Sequence, residues 1–253
     1  MIGLDLRIAE MVAVAKSVVT YHGDAGKNAA MDALYRRFVP PGGLAFDIGS
    51  HVGDRVASFR RLGARVVALE PQPGPAGVIA QLFAGDEAVT LLRAACGAQA
   101  GELVLKVNTA NPTVTTASQA FVASAAGAGG WEDQVWDREI TVPCLTLDGL
   151  IAEHGVPDFA KVDVEGFEAD VLAGLTRPLP ALSFEFTTIQ REVAFACLDR
   201  LAALGPYGFD VALGESQSLT FGRFVDCATM TAHLTGLPHA ANSGDVYAVL
   251  AKD

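Results

Sequence analysis

The sequence lacks the cysteine patterns that bind zinc or carry out thiol redox chemistry. Its cysteines, Cys96, Cys144, Cys197 and Cys227, are far apart in the chain and form no Cys-x-x-Cys pair. Scattered thiols with no secretion signal are typical of proteins in a reducing compartment. We therefore expect a cytoplasmic protein without a cysteine-based metal site.

The sequence also lacks an apolar run long enough to cross a bilayer, although 51% of its 253 residues are hydrophobic. The first residues carry Asp5, Arg7, Glu10 and Lys16 within an apolar pattern of helical spacing. This pattern predicts an amphipathic helix rather than a signal peptide or a membrane anchor. We expect an N-terminal helical segment over 1–40, followed by one main domain over 41–253.

Positive charge is scarce, since 18 lysines and arginines face 29 aspartates and glutamates, and the net charge is −11. A surface of this sign repels phosphate backbones, so no nucleic-acid partner is expected. A small molecule is the expected partner instead. The sequence does not indicate an oligomeric state.

Beyond residue 40, short apolar runs alternate with helical patterns, which predicts an α/β fold with a mostly parallel sheet and crossover helices. The predicted strands are 44–48, 65–70, 88–96, 139–145, 158–164, 182–186, 207–213 and 246–251, and the segment 101–118 is expected to form an antiparallel strand followed by a polar loop. The segment 108–138 is expected to be an insertion, in which Trp131 and Trp136 fold back as a lid. Residues 214–243 are too mixed in composition to assign.

A glycine-rich turn follows the first predicted strand, but it lacks the Gly-x-Gly-x-x-Gly pattern of dinucleotide-binding proteins. The turn runs from Asp47 to Gly53, and its glycines, Gly49 and Gly53, have the wider spacing Gly-x-x-x-Gly. A helix is predicted to begin here, so backbone N–H groups and an acid face a ligand. Glu70, at the end of the next strand, is placed to accept both hydroxyls of a ribose. The pattern favours a nucleoside ligand without phosphates, of which S-adenosylmethionine is the common example.

A second group of polar residues lies on the strand predicted over 158–164. Lys161, Asp163 and Glu165 alternate with valines and are expected to share one face. Charged side chains in a central strand need partners, and the carboxyl edge of an open α/β sheet is where ligands bind. A purely structural ion pair with a helix-capping acid is the alternative interpretation. Glu185 is expected near the same edge, and His51 is a candidate base in the turn.

The sequence FDIGSHVGDR, ALEPQP, LTLDGL and KVDVEGFEADVLAGL, in this order, resembles the FkbM family of S-adenosylmethionine-dependent methyltransferases from about residue 44 to residue 186. The resemblance implies a Rossmann-like, seven-stranded class I methyltransferase fold with an antiparallel last strand, and O-methylation of a sugar or other small molecule. The residues that it assigns to the cofactor site are Asp47, Gly49, Ser50, Gly53, Glu70 and Pro71. The chain departs from the family where Ser50-His51 replaces the usual Ala-Asn.

Methyl transfer to a hydroxyl requires a group that accepts the hydroxyl proton. Asp163 is the first candidate, Glu165 the second and His51 the third, with Lys161 orienting Asp163. A divalent ion bridging Asp163, Glu185 and the acceptor is compatible with carboxylate chemistry. The sequence shows no third ligand for it, so no metal ligand is assigned.

Two other classes of protein remain open from the sequence. A non-catalytic module would bind the cofactor and use the segment containing Trp131 and Trp136 to contact a protein partner. An NAD-linked oxidoreductase would bind a dinucleotide, and the missing glycine pattern disfavours it.

Overall fold

The computed structural model describes the chain from residue 2 to residue 251. Within that range, no helix is both long enough and apolar enough to cross a membrane. In chain order the helices and strands are α1 (Ile2–His22), α2 (Ala25–Tyr35), β1 (Leu44–Ile48), α3 (Asp54–Arg61), β2 (Arg65–Leu69), α4 (Pro73–Leu82), β3 (Val89–Leu92), β4 (Ala95–Cys96), β5 (Gly101–Val107), α5 (Gln119–Ala125), β6 (Arg138–Leu145), α6 (Leu147–His154), β7 (Phe159–Val162), α7 (Glu168–Ala173), β8 (Ala181–Thr187), α8 (Arg191–Leu204), β9 (Tyr207–Leu213), α9 (Cys227–Gly236) and β10 (Ser243–Leu250).

Seven strands form the main sheet in the order β3-β2-β1-β7-β8-β10-β9. The pairs from β3 to β8 are parallel, whereas β10 runs antiparallel to both β8 and β9. Helices connect the parallel strands because a crossover is needed to return the chain to the same edge. The predicted α/β fold, with a mostly parallel seven-stranded sheet and an antiparallel last strand, is confirmed.

The central strands are buried on both faces, which explains their continuous apolar sequence. Strand β1 shows how the two faces divide. Leu44, Phe46 and Ile48 pack into the larger apolar cluster on one side of the sheet, and Ala45 packs into a second cluster on the other. The alternation follows from the period of two in a strand. The alternation determines which face of the sheet each side chain at the ends of β1, β2 and β7 points to.

A second, three-stranded sheet has the order β4-β6-β5 and was only partly predicted. The single strand expected over 88–96 is in fact two strands that belong to different sheets. Strand β3 pairs with β2, whereas Ala95 and Cys96 in β4 pair with Cys144 and Leu145 in β6. The partner strand is far away in the sequence, so the apolar run alone did not reveal the break.

The segment 108–138 folds around a small apolar cluster of its own, made by Val114, Phe121, Ala125 and Trp131. Trp131 is buried and meets Phe121 edge to face, with 5.3 Å between the ring centroids. The indole N–H of Trp136 donates a hydrogen bond to the carbonyl of Val114 at 2.9 Å. Both tryptophans therefore stabilise the segment from within.

The two N-terminal helices pack differently against the domain. Helix α2 buries Met31, Leu34 and Tyr35 in the cluster beneath the sheet. Helix α1 buries little of its apolar surface, and Met11 and Val19 are 71% and 72% exposed. The helix predicted from the periodicity is present, but its apolar residues are not gathered into one buried stripe. Residues 214–243, which the sequence left unassigned, contain α9.

Candidate active site

A cavity opens at the carboxyl ends of β1, β2, β7 and β8 and holds about 1000 Å³ of space, including its mouth. Parallel strands bring their carboxyl ends to one edge, so residues distant in sequence meet there. The lining includes the predicted residues Asp47, Gly49, Ser50, His51, Glu70, Pro71, Lys161, Asp163, Glu165 and Glu185. Gly53 is the predicted site residue that does not line the cavity.

The turn after β1 is held by backbone hydrogen bonds to the neighbouring strand. The N–H groups of Gly49 and Ser50 both donate to the carbonyl of Leu69, at 3.0 and 2.9 Å. The Ser50 hydroxyl donates to the carbonyl of Asp47 at 2.7 Å. These bonds bend the chain sharply and carry it to Gly53, which caps α3 in the left-handed conformation. The turn is therefore a rigid part of the cavity wall.

The two glycines of the turn have packing roles that the sequence did not indicate. Gly49 has φ +85°, and a Cβ there would lie 1.8 Å from the carbonyl oxygen of Asp163. A Cβ at Gly53 would lie 3.0 Å from Ile79. The sequence interpretation gave these glycines the task of admitting a ligand. In the structure Gly49 admits the loop after β7, which brings Asp163 against the turn.

We expect Gly49→Ala to destabilise the protein far more than Gly42→Ala. Both glycines have left-handed φ values, +85° and +77°, but a Cβ at Gly42 has no atom within 4 Å. The control therefore reports only the left-handed penalty, about 1–2 kcal/mol. Gly49→Ala adds a backbone clash, for which we expect at least about 2 kcal/mol more. Urea denaturation measures both, and equal losses would contradict the close contact between the turn and Asp163.

Glu70 is 3% exposed and ties β2 to the turn. One carboxylate oxygen accepts the N–H of His51 and the other accepts the N–H of Gln72, both at 2.8 Å. Burial raises the pKa of Glu70 to about 8, although the two N–H groups favour its ionised form. The carboxyl group is thus fixed in position at the wall of the cavity.

Asp47 is 1% exposed and lies at the end of β1. Its Oδ2 is buried and has no hydrogen-bond partner among residues 2–251. Burial raises the pKa of Asp47 to about 7, and the nearby charge of Asp54 adds to this. A buried carboxylate oxygen without a protein partner is costly, so Asp47 is a candidate to bind a polar group of a ligand.

The raised pKa values of Asp47 and Glu70 make stability depend on pH. Each group binds its proton more tightly in the folded protein than in the unfolded chain, so its stabilising contribution is lost as the pH rises through the folded pKa. Burial lowers the pKa of His51 to about 4. The titration of His51 therefore changes the free energy of unfolding mainly below pH 6.5, where it makes stability rise with pH. From Asp47 and Glu70 we expect the free energy of unfolding of the ligand-free protein to fall by about 2 kcal/mol between pH 6.5 and pH 8, and Glu168, whose pKa burial raises to about 7, adds to this fall.

Urea denaturation at several pH values in this window measures that slope. The double variant Asp47→Asn, Glu70→Gln should have a shallower slope than the parent, because neither replacement titrates. Stability that rises with pH over the same window would contradict the buried, ligand-free state of these carboxyls.

Lys161 is the buried cation of the site, with 1% of its surface exposed. Its ammonium donates to Asp163 at 2.9 Å and to Asp245 at 2.6 Å. Burial by itself raises the pKa of Asp163, but the charge and hydrogen bond of Lys161 outweigh it and the pKa is lowered. Asp163 is therefore ionised and oriented.

The charged residues after Lys161 do not continue the strand as predicted. The expected strand 158–164 ends at Val162, and Asp163 and Glu165 lie in the loop beyond it. Glu165 has φ +56°, a left-handed conformation that is unusual for a residue with a side chain. The bend replaces the in-line arrangement with a cluster, in which Asp163, Glu165 and Glu185 each bring a carboxylate oxygen within 4.8 Å of the others.

Glu165 and Glu185 lack the support that Asp163 has. Glu165 is 7% exposed and its carboxylate makes no hydrogen bond to any described residue. The Oε2 atom of Glu185 is buried and has no partner within the described part of the chain. Burial, followed by the charge of Asp163, raises the pKa of both carboxyls well above the usual range.

His51 also has a left-handed backbone, with φ +46°. Neither ring nitrogen has a hydrogen-bond partner between residues 2 and 251, and the lowered pKa keeps the ring neutral. Tyr21 of α1 meets the ring edge to face, with 5.7 Å between the centroids. The neighbouring His22 lies 2.9 Å from the carbonyl of Val52 through its Nε2. Helix α1 thus contributes to the cavity wall.

Sequence reasoning missed several residues that support the site. Asp245 is the second partner of Lys161, and Glu168 accepts the N–H groups of Val164 and Gly166 at 3.0 and 3.3 Å. Arg55 pairs with Asp54 and with Glu215. Glu168 was the one that local sequence could have revealed, because an acid at the start of a short helix is a common capping residue. The others meet only through the tertiary fold.

The strand order, the single antiparallel strand and the cavity at the carboxyl edge define a class I methyltransferase fold. Residues 47–211 match the family model described as Methyltransferase FkbM domain, so the chain belongs to the FkbM methyltransferase family. The family resemblance predicted from the sequence is confirmed. A comparison with curated proteins found no match.

Three solved structures are among those similar to this chain. A TehB-like SAM-dependent methyltransferase from Corynebacterium glutamicum ATCC 13032 Kitasato is 10% identical with a TM-score of 0.50, covering 97% of this chain and 99% of its own. An O-methyltransferase from Bacillus cereus in complex with SAH is 12% identical, with a TM-score of 0.47 and coverages of 97% and 90%. A precorrin-6Y C5,15-methyltransferase from Geobacter metallireducens GS-15 is 14% identical, with a TM-score of 0.46 and coverages of 88% and 86%. At these identities the likeness concerns the fold.

Proposed function

We propose that this methyltransferase uses S-adenosylmethionine to methylate a hydroxyl group of a small molecule or a sugar. The observation that carries the proposal is the position of Glu70. It is buried at the cavity, held by N–H groups from the turn on one side and from Gln72 on the other. This is the arrangement expected of a carboxylate that accepts the two hydroxyls of a ribose.

The other residues of the cavity fit an adenosyl sulfonium with its amino-acid tail. Asp47 supplies a buried oxygen that lacks a partner, which suits the ammonium group of that tail. Gly49, Ser50 and Pro71 line the cavity between Asp47 and Glu70. Carboxylates outnumber cations in the lining, so a positively charged ligand is favoured there. Gly53 acts indirectly, by capping the helix that follows the turn.

S-adenosylmethionine supplies an activated methyl group on a positively charged sulfur. The protein's task is to align the acceptor oxygen with that methyl group, exclude water and receive the hydroxyl proton. Asp163 is the first candidate to receive it, because Lys161 keeps it ionised and oriented at the cavity. Glu165 is the second and His51, which is neutral, is the third. As the acceptor oxygen bonds to the methyl carbon, its proton passes to this group, and the carbon–sulfur electron pair stays on sulfur.

The charge of the chain supports a small acceptor. The net charge is −11, and the cavity adds buried carboxylates rather than a basic groove for a phosphate backbone. A non-catalytic interaction module would use Trp131 and Trp136 to contact a protein partner. This alternative is disfavoured, because Trp131 is buried and Trp136 is hydrogen-bonded within its own segment. The ordered carboxylates opposite the turn favour an enzyme.

Two measurements test the proposal in sequence. Isothermal titration with S-adenosylhomocysteine, with NAD as the comparison ligand, should give one site per chain for the nucleoside and none for the dinucleotide. Transfer of a labelled methyl group to a panel of sugars and hydroxylated small molecules should then give an O-methyl product. Tight binding of the nucleoside without methyl transfer to any compound of the panel would favour the non-catalytic module. Methyl transfer only to nitrogen or carbon would contradict O-methylation.

A further inference from the structure

We propose that Asp163, Glu165 and Glu185 together bind one divalent cation of the Mg²⁺ or Mn²⁺ type at the wall of the cavity. The binding of the cation follows from these three residues alone. Its use in catalysis, to hold the oxygen of the acceptor, rests on the proposed function.

The geometry suits a small cation with oxygen ligands. One carboxylate oxygen from each residue lies within 4.8 Å of the other two. In an octahedral site with ligands at about 2.1 Å, adjacent oxygens are about 3 Å apart and opposite ones about 4.2 Å apart. Small rotamer changes therefore bring the three oxygens onto one ion. Hard carboxylate oxygens are the ligands that Mg²⁺ and Mn²⁺ prefer.

A second observation points to a missing positive ligand. Glu165 is more than nine-tenths buried, and its carboxylate has no hydrogen-bond partner in the range 2–251. The Oε2 atom of Glu185 is also buried and unpartnered among those residues. Burying a carboxylate without a partner costs several kcal/mol at the order of magnitude, so such groups pair, bind metal or become neutral.

Lys161 does not fill this role. Its ammonium is directed to Asp163 and Asp245, at 2.9 and 2.6 Å, and makes no hydrogen bond to Glu165 or Glu185. The ammonium therefore hydrogen-bonds two aspartates, and the two glutamates receive only its charge at longer range, which does not prevent their pKa values from being raised. Arg55, the other buried cation at the cavity, is paired with Asp54 and Glu215. A divalent ion would balance Glu165 and Glu185 and share Asp163 with Lys161.

The backbone brings the third ligand into place. The sequence interpretation paired Asp163 with Glu185 as ligands of an ion and named no third ligand, although Glu165 was expected on the same face as Asp163. Strand β7 ends at Val162, and the left-handed conformation of Glu165 turns its carboxylate back towards the other two. Glu168 fixes this loop by accepting the N–H groups of Val164 and Gly166. The backbone that carries Asp163 and Glu165 is therefore in place before any ion arrives.

A titration with Mn²⁺ tests the proposal. The 253-residue chain is first treated with EDTA, and the electron paramagnetic resonance signal then measures the free Mn²⁺ at each addition. We expect one bound ion per chain with a dissociation constant below about 1 mM, and displacement by Mg²⁺. Glu165→Gln and Glu185→Gln should each weaken Mn²⁺ binding at least about tenfold. Glu215→Gln is the matched control, since it removes a carboxylate from the same cavity that pairs with Arg55 instead, and it should keep the parent affinity.

Absence of Mn²⁺ binding below 1 mM would overturn the proposal and leave protonation as the way in which the glutamates are neutralised. Equal affinity in the parent and both glutamine variants would also overturn it, because the ion would then lie elsewhere. Glutamine is a neutral replacement of similar shape for these two acids, whose pKa values are raised without metal, so both variants should unfold near the parent temperature without metal, and circular dichroism checks this. If one variant fails to fold, the other decides.

Titration with S-adenosylhomocysteine in EDTA separates this proposal from the proposed function. Mn²⁺ binding without nucleoside binding would support the cation site and contradict the methyltransferase assignment of the cavity. Nucleoside binding without Mn²⁺ binding would contradict the cation site and support the methyltransferase assignment of the cavity.

Discussion

Glu70→Gln is expected to weaken binding of S-adenosylhomocysteine by about 100-fold. At pH 9, above the raised pKa of about 8, Glu70 is ionised, a hydrogen bond to such a charged group contributes about 1.5–3 kcal/mol, and Glu70 is placed to accept two from the ribose. The carboxylate of Glu70 accepts backbone N–H groups from His51 and Gln72. In the glutamine variant the side-chain NH₂ group is itself a donor, so one of these two N–H groups loses its acceptor. Affinity and local order of the turn should therefore fall together.

Isothermal titration measures the affinity of the variant beside that of Glu87→Gln. Glu87 is exposed and lies outside the cavity lining, so this control makes the same chemical change without touching the site. It should bind the nucleoside as the parent does. A Glu70→Gln affinity within twofold of the parent, with the variant folded, would remove Glu70 from the ribose role.

Asp163→Asn is expected to lower kcat by at least about 100-fold while changing nucleoside affinity less than about threefold. A positioned group that accepts a proton contributes about 10²–10⁴ to the rate, and asparagine cannot accept it. The lowered pKa of Asp163, in which burial is outweighed by Lys161, keeps the parent residue ready for this role near neutral pH. The defect should therefore appear in the chemical step rather than in cofactor binding.

Asp245→Asn is the matched control for this prediction. It also removes a carboxylate from Lys161, but Asp245 does not line the cavity. Its loss in kcat should be less than about tenfold. Similar losses in both variants would assign the effect to Lys161 and its orientation instead of to Asp163. If saturating Mn²⁺ restores much of the rate of Asp163→Asn, the residue acts mainly through the proposed cation site.

The sheet was predictable because its strands carry their own signals. Buried strands such as 44–48 and 182–186 are short apolar runs separated by helical patterns, and a parallel sheet with crossovers is the fold that buries them. The positions of Asp47 and Glu70 were predictable for the same reason, since Asp47 lies near the end of one of these strands and Glu70 directly follows another. Both sit at the edge where such sheets bind ligands.

The support around the site was not predictable, because it depends on contacts between distant residues. Lys161 and Asp245 are 84 positions apart and meet only because β10 inserts between β8 and β9. Tyr21 reaches His51 from a helix outside the matched family region. The left-handed turn at Glu165 is stabilised by Glu168, whose carboxylate accepts the N–H of Val164 in the same loop. No periodicity or local motif encodes these positions.

The position of the bound nucleoside tests the proposed cofactor site most directly, and a crystal structure of the complex with S-adenosylhomocysteine measures it. We predict that the adenosine packs against the turn 47–53, with both ribose hydroxyls within hydrogen-bond distance of Glu70. The sulfur should then face the open part of the cavity beside Asp163. A ribose bound away from Glu70, or an adenosine outside this cavity, would contradict the account.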